Sequence, residues 1–169
     1  MATPEPVLDA ERILRVLAEH GVDYVLIGGL AVQTHSRQAH GPTRANAVVE
    51  LAPASDSRNL ERLASALRSL GARVLNPGSE GMPIDAAMLP RATIWQFATR
   101  DGGIDVMHEV PAGAPFEELS ERALRVRLGE VEVPVVGLDD LIQMKLARGR
   151  SIDLEDVAAL TDDGSAGTE

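Results

Sequence analysis

A short apolar run, VDYVLI at residues 22–27, breaks off into Gly28-Gly29, and the next residues, LAVQTH, read as the start of a short helix. A run of that length, rich in β-branched residues and bounded by glycine, predicts a buried strand. The glycine pair between strand and helix constrains the fold more than any other feature. The two elements must join almost without a loop, and the missing Cβ leaves the first helical turn open to close approach. The unpaired N–H groups of such a turn suit an anion. Taken alone, the same pattern also describes a plain turn.

Around this junction, helical and extended segments interleave. Residues 7–20 carry Leu8, Ile13, Leu14, Leu17 and Ala18 at helical spacing, with Asp9 as N-cap and Gly21 as stop. Residues 36–43 (SRQAHGPT) read as a loop, and residues 47–51 (AVVEL) as the second strand. Pro53, Ser55, Asp56 and Ser57 open an amphipathic helix over 58–70, closed by Gly71, and 73–75 is a short strand. Residues 76–90 are mostly loop. Residues 92–99 and 103–108 flank Arg100-Asp101-Gly102, and Asp-Gly is a strong hairpin signal. Trp95 and Phe97 alternate, which puts both rings on one core-facing side. After a loop at 111–115, residues 116–123 are of mixed character. Residues 125–128 and 131–136 form another hairpin across Gly129-Glu130, and helices follow over 138–148 and 152–160, broken by Gly149. Such interleaving predicts an α+β class: a short mixed sheet with helices packed on it, one domain over 1–160 and a small polar tail over 161–169.

Composition narrows the function classes. With 169 residues, 44% hydrophobic and 25% charged, the chain can bury a sizeable core without disulfides, and it has no cysteine. Its apolar runs fall short of the ~20 residues of a membrane span, and its N-terminus lacks a signal-peptide pattern, so a cytoplasmic protein is expected. The net charge of −10 argues against general DNA coating, and four aromatic residues are too few for a base-stacking platform. Fifteen of the sixteen basic residues are Arg; the exception is Lys145. His35 and His40 lie in a polar stretch and are not assigned to a metal site.

Two carboxylates complete the pattern. Val48 and Glu50 share one face of their strand, and Asp105 lies in the later strand GGIDVM. The stretches YVLIGGLAV (24–32), TRANAVVELAP (43–53), GGIDVM (102–107) and DDLIQMKLARGRSIDLEDVAAL (139–160) together resemble the minimal nucleotidyltransferases and AbiEii-type toxin nucleotidyltransferases of the DNA polymerase β superfamily. The last stretch is the most specific, and the resemblance spans most of residues 10–160.

The resemblance implies a nucleotidyltransferase-like fold in which Gly28 and Gly29 receive an NTP triphosphate. It implies an Asp-x-Asp pair and a third carboxylate holding Mg²⁺ ions while an acceptor hydroxyl attacks the α-phosphate. This chain departs from that pattern, because Val48 stands at the first Asp and Glu50 at the second; Asp105 is standard. Glu50 and Asp105 are therefore the candidate catalytic and metal-binding residues, and Gly28, Gly29, Arg44, Lys145 and Arg148 the candidate nucleotide contacts. Arg150 adds charge, and Asp153 and Asp156 share a helix face, where pairing with Arg148 or Arg150 or a capping role suits them better than metal. Asp101 is expected to face solvent. Three functions stay open: NMP transfer to an RNA, protein or small-molecule acceptor, with an antitoxin-like partner; a pseudoenzyme that keeps a nucleotide pocket; and a structural partner with a vestigial pocket.

Overall fold

The computed structural model describes residues 8–40 and 48–161. The elements are α1 (Ala10–Glu19), β1 (Tyr24–Ile27), α2 (Gly28–His40), β2 (Val48–Pro53), α3 (Ser57–Ser69), β3 (Arg73–Val74), β4 (Ile94–Thr99), β5 (Gly102–Met107), α4 (Phe116–Arg122), β6 (Leu124–Leu128), β7 (Val131–Val135), α5 (Leu138–Arg148) and α6 (Ser151–Thr161). Seven strands form one mixed sheet in the order β3-β4-β5-β2-β1-β7-β6. β1 runs antiparallel to β2 and parallel to β7, and β2 runs parallel to β5. Among the described residues, no helix is long and apolar enough to cross a membrane.

Local chemistry sets the helix starts. The Asp9 carboxylate accepts from the Arg12 N–H at 3.1 Å, and that of Asp56 accepts from Asn59 at 2.9 Å, so each satisfies a first-turn donor that has no helical partner. Leu60, Leu63 and Leu67 of α3, with Ile13, Leu14 and Leu17 of α1, enter the core. Each fully buried leucine contributes about 1.5–3 kcal/mol. Asn59 is buried for a polar reason. Its side chain accepts from Asp23 N–H at 2.7 Å and donates to Asp23 O and Ala54 O at 2.8 Å, tying the start of β1 to the end of β2.

The sheet has two unlike faces. Val49 and Leu51 of β2, Ile104 and Val106 of β5, and Trp95 and Phe97 of β4 are buried. The two rings stack at 6.4 Å, as their alternation predicts. One residue out of step, Val48, Glu50, Gly103, Asp105, Gln96 and Ile94 are half-buried or exposed. The period of two thus assigns Glu50 and Asp105 to the same, more open face.

Two expectations need correction. The loop expected from residue 36 is helical as far as His40, with 41–43 outside the described residues. Ser36 falls one turn after Val32 and is buried with it, and His35 Nε2 lies 2.8 Å from Val136 O, so tertiary contacts extend α2 through a polar sequence. Asp101 is the second. Its side chain is 18% exposed and accepts from Arg12 Nε at 2.9 Å, which fastens the β4–β5 turn to α1 rather than leaving the carboxylate in solvent.

Candidate functional site

The site begins at the β1–α2 junction. Gly28 has φ +72°, the left-handed region that disfavours a side chain, and a Cβ there would collide with the Glu50 carboxylate. Glycine is therefore required by close approach as well as by backbone conformation. Glu50 sits opposite Ile27 of β1 on one side and opposite Asp105 of β5 on the other, while Val48 sits opposite Gly103. The sheet thus brings Gly28, Glu50 and Asp105 together.

Burial pushes the Asp105 carboxyl up to about 6, the neighbouring Glu50 charge pushes in the same direction, and Arg148 opposes both. A like charge alongside raises the cost of ionising Asp105. Arg148 ends α5 and is exposed, with Lys145 one turn before it. Gly28, Glu50, Met107, Met144, Lys145 and Arg148 line a crevice with about 10 Å³ of free space, room for one water at most. The Glu50 carboxylate occupies the approach to Gly28.

Lys145 is 4% exposed, so it is no solvated surface lysine. Its Nζ lies 3.0 Å from Asp156 Oδ2 and 3.4 Å from Asp153 Oδ1. Arg150 closes the cluster with a two-pronged contact to Asp153, Nε at 2.7 Å and a terminal nitrogen at 3.1 Å, and its backbone N–H donates to the same carboxylate at 3.2 Å. The Arg150 hydrogen bonds hold Asp153 down at about 2. The Asp153–Arg150 pairing follows the expectation for that carboxylate; Asp156 instead meets Lys145. The Arg150 guanidinium also feels the Glu50 and Asp156 charges, which links this cluster to the Glu50–Asp105 pair.

Whether Mg²⁺ suits these residues depends on their donors. Val48 offers no oxygen, and His35 is engaged with Val136 O. Among the described residues, no three His, Cys, Asp or Glu side chains converge as a metal cage. Glu50 and Asp105 do stand in register on neighbouring strands, and their mutual repulsion would be relieved by a cation between them. Mg²⁺ is commonly held by one or two carboxylates, with water and substrate phosphates completing the octahedron. The pair therefore fits a single ion arriving with a nucleotide and falls short of a two-ion clamp. Arg44 and the side chain of His40 lie outside the described residues. What sequence reading missed is the burial of Lys145; the available signal was the spacing of Asp153 and Asp156 on the helix opposite the chain's single lysine.

No family model matches the sequence, and no curated protein matches it. Solved structures do match. The lincosamide antibiotic adenylyltransferase LnuA, lincomycin-bound, superposes with TM-score 0.62 at 14% identity over 92% of this chain and 97% of that one. ANT(2")-Ia in complex with adenylyl-2"-tobramycin gives 0.55 at 14% identity over 89% and 84%. An antigenic nucleotidyltransferase-like protein from Paracoccidioides brasiliensis gives 0.50 at 15% identity over 92% and 77%. At such identities the likeness concerns architecture, and in architecture this chain has the nucleotidyltransferase-like fold.

Proposed function

We propose that the chain binds a nucleoside triphosphate together with one divalent cation at Glu50 and Asp105, and transfers its NMP slowly to an acceptor hydroxyl. The observation that carries this reading is the registered Glu50–Asp105 pair beside Gly28, at the N-terminus of α2. When bound, Mg²⁺ would neutralise developing charge on the phosphates. Gly28 and Gly29 offer backbone N–H groups to the triphosphate. Arg148 supplies an exposed cation at the crevice mouth, and Arg44 is a further candidate. Lys145 acts at short range: its side chain lines the crevice while two aspartates fix its ammonium. Entry of the triphosphate requires the Glu50 carboxylate to leave the Gly28 surface, because the crevice as it stands holds no more than a water.

Val48 is the reason transfer is slow. An apolar side chain at that position removes one anionic ligand, and a second metal cannot be replaced by packing. A reading as a nucleotide-binding module with no turnover draws on the same residue and differs only in rate. Both are supported by the likeness to LnuA, an adenylyltransferase, and to ANT(2")-Ia carrying an adenylylated product.

Calorimetry with ATP, CTP, GTP and UTP, with and without Mg²⁺, tests the binding step. Binding is expected only with the metal, and equal affinity without it would overturn the Glu50–Asp105 assignment. Incubation with labelled NTPs tests transfer. The double substitution Val48→Asp with Glu50→Asp should raise metal affinity at least tenfold, and no gain would mean that Val48 does not occupy a ligand position.

A further inference from the structure

The open side of the sheet carries a hollow that reaches from Asp105 toward β3. One row of residues crosses four strands there, and a second crosses three. Ala98 of β4 pairs with Arg73 of β3 and with Gly103 of β5, which pairs with Val48 of β2. In the next row Gln96 pairs with Asp105, and Asp105 with Glu50, while the Leu75 N–H donates to Gln96 O at 2.8 Å and sets Leu75 at the row's outer end. The centre of the first row has only a methyl group and a hydrogen as side chains, so it forms a floor. Arg73 and Leu75 stand on one side of that floor, Asp105 and Val48 on the other. The hollow measures about 380 Å³, within the range of small-molecule pockets.

Its chemistry selects an occupant. Arg73 is exposed and makes no ion pair among the described residues, so it offers an uncompensated guanidinium fork, which suits carboxylate or phosphate. Leu75, 50% exposed, provides an apolar wall, and Gln96 an amide. Strands about 4.8 Å apart put the Arg73 backbone roughly 10 Å from that of Gly103, close to the row containing Asp105. A polynucleotide is a poor match. Trp95 and Phe97 are buried on the other face, so among the described residues the hollow has no ring for stacking bases, and its one described arginine cannot neutralise a run of phosphates.

We propose that this trough is the acceptor subsite of the same centre, taking a small hydroxylated molecule whose carboxylate or phosphate group binds Arg73. The inference rests on the nucleotide-transfer reading above. With the anionic group on Arg73, a hydroxyl at the far end of the molecule lies beside Asp105. Its oxygen forms a bond to the α-phosphorus as the bond from that phosphorus to the oxygen bridging the β-phosphate breaks. Pyrophosphate leaves with the electron pair, and the hydroxyl proton passes to water.

The test follows backbone amide resonances of the chain over residues 1–169 as sugars of different charge are added at millimolar concentration. Glucose 6-phosphate should shift Arg73, Gln96, Ala98 and Gly103 in a saturable way, with glucose and glucosamine at least tenfold weaker. Arg73→Glu should abolish the response, Arg73→Lys should keep part of it, and Ala98→Leu, which raises the floor, should weaken it tenfold without altering charge. Equal responses to all three sugars, shifts mapping elsewhere, or a short oligoribonucleotide shifting these amides where glucose 6-phosphate does not would overturn the proposal. Calorimetry of ATP with Mg²⁺ on the unaltered chain separates the two readings. Loss of nucleotide binding overturns both, whereas intact nucleotide binding with no preference for the anionic sugar overturns this one alone.

Discussion

Asp153 and Asp105 both feel a cation carried by α5, and the fold treats them in opposite ways. Arg150 grips Asp153 with two guanidinium nitrogens and a backbone N–H, and its carboxyl is held at about 2. Asp105 faces another carboxylate, its nearest favourable charge is on an exposed arginine, and it is pushed up to about 6. The first group has every charge answered within the protein. The second stores repulsion that a cation from outside would relieve. A carboxylate that is satisfied holds structure together, whereas an unsatisfied one at the edge of a cavity is the better candidate for chemistry.

The largest expected effect comes from breaking the satisfied cluster. Lys145→Met should destabilise the chain by about 3 kcal/mol, because it removes a buried cation that contacts both Asp153 and Asp156. Chemical denaturation reads this directly, and a loss within error would mean that Lys145 is dispensable for the fold. Asp105→Asn should act the other way. Removing the repelled charge should raise stability by about 1 kcal/mol, after discounting for solvent screening, while Mg²⁺-dependent nucleotide affinity falls at least tenfold. Stability and affinity moving together would erase the contrast between the two sites.

Acid titration sharpens the contrast further. Asp153 has a depressed folded pKa, so its contribution is present above pH ~4 and is lost as pH falls toward about 2. Asp105 has a raised one, so the native state binds the extra proton, and its ionisation costs stability as pH rises from ~4 through about 6. Carboxyl carbon resonances should show Asp105 titrating near 6 and Asp153 with its midpoint near 2. The smallest effect concerns the turn at the crevice mouth. Gly113 N–H donates to Val110 O at 3.0 Å, and Ala112 within this turn has φ +71°. Ala112→Gly should add about 0.5–1 kcal/mol of stability by removing left-handed strain.

Much of this arrangement could be read from the residues. Alternation in AVVEL put Val48 and Glu50 on one face, GGIDVM read as a later strand carrying Asp105, and the Asp-Gly turn announced the β4–β5 hairpin whose other strand carries Trp95 and Phe97. Neither reading needed distant contacts, because strand periodicity is local. The length of α2 was hidden, since the residues after His35 carry no helical apolar pattern and the contact of His35 with Val136 O joins segments 101 residues apart. Asn59 was hidden for the same reason. Its three hydrogen bonds join segments 36 and five residues away, which spacing cannot reveal. The reason for Gly28 was half legible: close approach to its backbone was expected, but the group making that approach is Glu50.

The account stands most directly on where a divalent ion goes when a nucleotide is present. Mn²⁺ added with ATP to the labelled chain should broaden the resonances of Gly28, Glu50 and Asp105 at low metal ratio and leave those of Asp153 sharp. Broadening centred on Asp153 and Asp156, or none around Glu50 and Asp105, would contradict it.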